Sequence, residues 1–166
     1  MPETPTSRLV TRDELKSYMN TGTSAVPVWS LIGEGFTALS ESKNPKTYAR
    51  KYVHERTERT DVIGYAPSVP FTADVHTVDP VITKIQEIYN EEKVGADAQV
   101  EILTVRGWDP GASEGTYNAV KRTYSTVCDK EGDGTDALVI SGTFHAVGEL
   151  TAGTFNGTAF TADDDE

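Results

Sequence analysis

The sequence predicts a mainly β fold with antiparallel strands and one flanking α-helix at about residues 80–93. Three observations carry this. Residues 67–76 alternate strictly, with Val69, Phe71, Ala73 and Val75 on one face and Ser68, Pro70, Thr72, Asp74 and His76 on the other, the pattern of a half-buried strand. The next segment changes period: Val81, Ile82, Ile85, Ile88 and Tyr89 fall on one helical face, behind Asp79 as N-cap and Pro80 at the first helical position, with Gly95 as a stop. Strand-like runs then follow at 98–106, 119–128, 137–147 and around 150–161 with no second helical pattern, which argues against repeated βαβ units.

Taken in order, residues 1–27 carry three prolines and only a weak helical hint near residues 13–19, so an extended N-terminal arm is expected. Its apolar residues Leu9, Val10, Leu15, Tyr18 and Met19 suit a groove on another surface. Residues 28–32 read as a short strand, turned by Gly33-Glu34-Gly35 into a second strand over 36–43, and Lys43-Asn44-Pro45 is a turn by composition. From 47 to 56 the chain alternates, yet neither face is cleanly apolar. Such a strand either projects as a ribbon or is covered by another chain.

Residues 55–66 read as a polar loop without an apolar period, and Glu55, Arg56, Glu58, Arg59 and Asp61 mix both signs of charge as a contact loop would. The expected core comprises Trp29, Phe36, Val69, Phe71, Val75, Ile82, Ile85, Ile88 and Tyr89. The expected organisation is an arm at 1–27, a domain at 28–161 and an acidic tail at 162–166.

The formal net charge of −11 over 166 residues argues against a protein that grips nucleic acid through a basic face. At 37% hydrophobic residues the chain is modestly supplied with core, so neighbours are expected to complete some apolar surface. A lone Cys128, an opening without an n-region or h-region and the lack of a long apolar run predict a soluble protein made in a reducing cytosol, without a membrane partner.

The chemical motifs point away from catalysis. Asp129, Glu131, Asp133 and Gly134 imitate the start of a calcium loop, but Ile140 stands where a bidentate carboxylate is needed, so a hairpin turn is expected. His54, His76 and His145 stand singly, and no nucleophile elbow, phosphate loop or dinucleotide fingerprint occurs. Asn156-Gly157-Thr158 is expected to be a turn. No cofactor, metal or catalytic residue is assigned.

Several stretches, in order, carry a family likeness: Tyr18-Met19-Asn20-Thr21-Gly22, Pro27-Val28-Trp29-Ser30-Leu31-Ile32-Gly33-Glu34-Gly35-Phe36, Glu41-Ser42-Lys43-Asn44-Pro45, Arg50-Lys51-Tyr52, Thr60-Asp61-Val62-Ile63-Gly64-Tyr65-Ala66-Pro67 and Gly153-Thr154-Phe155-Asn156-Gly157-Thr158-Ala159-Phe160. With these the chain resembles the tail tube (major tail) proteins of long-tailed bacteriophages of Gram-positive hosts. The resemblance implies a β-sandwich or split barrel with a flanking helix, an N-terminal arm, a long hairpin loop and a C-terminal arm, assembled as hexameric rings stacked into a hollow tube that delivers the genome.

It further implies a virion protein made in the host cytoplasm. Its partners would be other copies of itself, a tape-measure protein in the lumen, terminator and distal tail or baseplate proteins at the ends, and DNA in transit. The arm residues Leu9, Val10, Leu15, Tyr18 and Met19 and the loop residues Glu55, Arg56, Glu58, Arg59 and Asp61 would make ring-to-ring contacts; Glu41, Thr72 and Asp74 would face the lumen. The alternative is the inner tube of a contractile tail or phage-derived injection system, which would add a sheath protein as partner.

Overall fold

The computed structural model describes Thr4 and residues 6–163. After a 3-10 turn at Arg12–Glu14, the chain forms β1 (Leu15–Asn20), β2 (Trp29–Leu31), β3 (Phe36–Leu39), β4 (Pro45–Arg50), β5 (Arg59–Tyr65) and β6 (Ser68–Asp74). Helix α1 (Pro80–Asn90) follows, then a 3-10 turn at Gly95–Ala98, β7 (Gln99–Pro110), β8 (Tyr117–Asp133), β9 (Val139–Phe155) and β10 (Phe160–Ala162). The main sheet runs β2-β1-β7-β8-β9-β6-β3, with β10 added to β9, while β4 and β5 pair only with each other. The mainly β architecture with one α-helix among the described residues is the one the sequence predicts.

Two compact units divide the chain. The first takes the described residues of Met1–Gly33 and of Leu150–Glu166 together with Ile102–Lys121. Its core is Leu103, Val105, Ala119 and Phe155, with Tyr18, Trp29 and Phe160 packed against it. The Tyr18 and Phe155 rings tilt at 49° with centroids 4.8 Å apart.

The expected arm to residue 27 is corrected here. Leu15–Asn20 is an inner strand, laddered antiparallel to β2 on one side and β7 on the other. Met19 is 0% exposed and so is core; its apolar side chain is spent within its own unit. The turn that returns β1 to β2 is fastened by Asn20, whose Oδ1 accepts from the Gly22 and Val28 amides, each at 3.0 Å, while its Nδ2 donates to the Thr23 carbonyl.

The second unit takes Glu34–Glu101 and Arg122–Glu149. On its buried face Val69 lies opposite Phe144, Phe71 opposite Gly142 and Ala73 opposite Ile140. Gly142 leaves room for the Phe71 ring, which a Cβ there would meet at 3.0 Å, and Phe71 stacks on Phe144 at 4.6 Å. Gly35, at φ 84°, turns β3 against the Asp74 carbonyl, where an L side chain would collide.

Helix α1 begins as its sequence dictates, with Asp79 Oδ1 accepting from the Val81 and Ile82 amides and Pro80 at the first position. Val81, Ile82, Ile85 and Ile88 are buried, whereas Trp29, Phe36, Val75 and Tyr89, also expected as core, are half-buried. The helix stops at Asn90, short of residue 93, because Glu92 adopts a left-handed φ of 49°.

The two strands expected at 137–147 and around 150–161 are largely one: β9 runs through residues 147–150 without a break, despite Gly148 at φ 86°. The turn expected at Asn156-Gly157-Thr158 is present, with Asn156 Oδ1 accepting from the Thr158 and Ala159 amides before β10. The polar run 129–133 belongs to β8, and the bend falls at 134–137.

Candidate assembly surfaces

The most exposed element is the two-stranded ribbon. All of β4 is exposed and β5 is exposed except for half-buried Gly64. An isolated two-stranded hairpin is marginal in water. This one nonetheless carries Tyr48, Val62, Ile63 and Tyr65 in its strands, the last two 66% and 61% exposed, and Tyr52 and Val53 at its tip.

Directly paired residues share a face. Tyr48 opposite Asp61 and Arg50 opposite Arg59 therefore share one face, and Thr47 opposite Val62 and Ala49 opposite Thr60 the other, which Pro45 opposite Tyr65 joins because the register shifts between Lys46 and Thr47. The Arg50 guanidinium sits 4.8 Å over the Tyr48 ring. At the tip the Tyr52 and His54 rings stack at 6.2 Å, and the Glu55 amide donates to the Tyr52 carbonyl at 3.0 Å.

The ribbon corrects the loop expected at 55–66, because residues 59–65 are strand. Val62, Ile63 and Tyr65 are strong strand formers, and β4 supplies the partner edge that lets them pair. The ribbon brings Arg56, Glu58, Arg59 and Asp61 together as exposed side chains, with Glu55 half-buried, and Arg59 Nε lies 3.9 Å from Asp61 Oδ2. Its apolar residues Tyr52, Val53, Ile63 and Tyr65 were masked in the sequence by the charges among them.

The other candidates are dispersed. Leu9 and Val10 are exposed, Leu15 and Tyr18 half-buried, and Met19 is enclosed. Beside them Arg8 Nη2 binds Glu14 Oε1 at 2.6 Å and the Thr11 amide donates to Glu14 Oε2 at 2.8 Å. These contacts hold the Glu14 carboxyl down at about 2, with the Arg8 hydrogen bond as the largest cause. Thr72 and Asp74 share the outward face of β6, whereas Glu41 lies beyond β3, paired with Lys43. The charge of Glu41 adds to burial in raising the Tyr124 hydroxyl above its ordinary value.

A groove of about 660 Å³ opens between the end of α1 and β8, lined chiefly by Ile88, Tyr89, Val94, Thr126, Val127 and Cys128. Burial, then the charges of Asp129 and Glu131, push the Cys128 thiol up to about 11. Gln86 Nε2 donates to Glu131 Oε1 at 2.9 Å, tying the helix to β8.

No family model matches the chain, and no curated protein does. Among solved structures it is similar to a chain of the anti-feeding prophage (AFP) baseplate, determined by cryo-EM and 6-fold symmetrised. That likeness has a TM-score of 0.49 at 9% identity, over 90% of this chain and 97% of that one.

Among the described residues, no cluster of three or more His, Cys, Asp or Glu could hold a metal ion. No helix among them is long and apolar enough to cross a membrane.

Proposed function

We propose that this chain is a structural subunit of a phage tail tube, assembling with copies of itself into hexameric rings that stack around a lumen for genome delivery. The observation that carries this reading is the ribbon, which holds Tyr48, Tyr52, Val53, Val62, Ile63 and Tyr65 out in solvent. Burying apolar surface stabilises by roughly 25 cal/mol per Å², so these side chains gain most when another chain covers them.

The sequence likeness to tail tube proteins supports the same reading. Its stretches fall on the β1–β2 turn fastened by Asn20, on the Gly35 turn, on β5 and the two ends of β4, and on the turn into β10. These are the turns and strands that set the shape of a subunit. Ring closure and stacking would also cover sheet edges that a free subunit leaves open.

The acid excess fits a conduit. A wall bearing carboxylates repels phosphate, so DNA in transit meets no deep electrostatic trap; Glu41, Thr72 and Asp74 are assigned to that wall. Tape-measure, terminator and distal tail proteins would be its other partners. Negative-stain microscopy of the purified protein at high concentration tests the reading: stacked rings or tubes are expected, and a protein that stays monomeric at every concentration overturns it.

A further inference from the structure

We infer that the tip of the β4–β5 ribbon of one copy docks into the α1–β8 groove of a second copy. This rests on the self-assembly proposed above and adds the receiving surface. The two parts match in shape class. The ribbon tip offers Tyr52 and a fully exposed Val53 on a turn, and the groove is lined by Ile88, Tyr89, Val94 and Val127, with Val94 and Val127 themselves exposed.

The charges match as well. Around the tip Arg50, Lys51, Arg56 and Arg59 outnumber Glu55, Glu58 and Asp61, although the whole chain is at −11. Around the groove Glu87, Glu91, Glu92, Asp129, Glu131 and Asp133 outnumber Lys93 and Lys130. Lys93 is already engaged with Glu87 at 2.5 Å and Glu91 at 3.4 Å, and Lys130 lies 4.0 Å from Asp133. The carbonyl end of α1, negative by its macrodipole, opens on the same groove. A basic tip with an apolar point therefore meets an acidic rim with an apolar floor.

Tip and groove are different surfaces of one chain, so copies joined head to tail leave a tip open at one end and a groove at the other, and the contact can propagate into a ring or filament.

The lone cysteine supplies the test. Val53→Cys, at a fully exposed turn, is introduced into the full chain, the protein is assembled at high concentration, and copper phenanthroline is added. A ladder of disulfide-linked oligomers is expected, through Cys128 in the groove of the neighbour, and its loss in Val53→Cys/Cys128→Ser. Assembled rings or tubes without the ladder overturn the docking while leaving the tube reading intact, and a protein that forms no assembly overturns both. As a second readout, Lys51→Glu/Arg56→Glu is expected to abolish assembly, and Glu91→Lys/Glu92→Lys in the same chain to restore it. Failure of restoration, with both variants folded by circular dichroism, also overturns the docking.

Discussion

Arg50 and Arg59 face each other across the β4–β5 ladder, one cation directly opposite another. Like charges in that position destabilise a strand pair. Arg50 is partly accommodated over the Tyr48 ring, and Arg59 leans toward Asp61. Replacing Arg59 by Glu removes the repulsion, so the free subunit should melt no lower than the parent. The same substitution takes a cation from the contact surface, so light scattering should show slower assembly. Raising salt should slow assembly of the unaltered chain too, because exposed charges are screened beyond about 10 Å at 0.1 M.

Truncation separates the N-terminal segment from the fold. Deleting residues 1–10 leaves β1 and the Thr11–Glu14 turn in place, and the melting temperature should be unchanged within about 2 °C, since exposed ion pairs such as Arg8–Glu14 contribute little. Deleting residues 1–20 removes an inner strand and the fully buried Met19. Circular dichroism should then show loss of cooperative unfolding.

The helix offers a graded comparison. Ile85 is 0% exposed, and truncation to Ala should cost roughly 2–5 kcal/mol, or a fall of roughly 5–15 °C in Tm for a chain of this size. Asp79→Ala, which loses the cap on the Val81 and Ile82 amides, should cost about 1 kcal/mol. Denaturant titration of both variants checks the order; a cap worth more than the buried isoleucine would contradict the packing described.

Glu14 makes a pH prediction. Its carboxyl is held below the ordinary 4.5, at about 2, first by the Arg8 hydrogen bond and then by the Thr11 amide. A depressed carboxyl contributes stability in full above its unfolded value and loses it as pH falls through the folded value. The carboxyl resonance of Glu14 should therefore titrate with a midpoint near 2, and Arg8→Ala should move it up toward the ordinary range. A midpoint unaffected by that substitution would remove Arg8 as the cause.

Cys128 is half-buried with its thiol pushed up to about 11. Little thiolate exists at pH 7, so iodoacetamide should label the folded chain slowly and the denatured chain at least tenfold faster.

Local chemistry was legible where one unit satisfies its own rules. The Asp79-Pro80 start, the isoleucine stripe of α1 and the alternation of β6 each bury what they advertise. β1 was hidden because Leu15–Asn20 becomes a strand only through partners far along the chain, as its pairing of Met19 with Ile102 shows. Proline and threonine around it read locally as an open arm. β5 was hidden for the opposite reason, since charges at Arg59 and Asp61 break the apolar signal while pairing with β4 decides the structure. The groove could not be read at all, because it joins residues 88–94 to 126–128 through tertiary packing.

The ribbon has an evolutionary consequence. None of residues 45–50 is spent on a core, so substitutions there are filtered by what the ribbon touches rather than by whether the subunit folds. A lineage can rewrite its tip and the surface that receives it, step by step, while Phe71, Phe144 and the α1 isoleucines stay fixed. Two related particles sharing a cell could in this way drift into private codes, each recruiting its own subunits and leaving the other's behind.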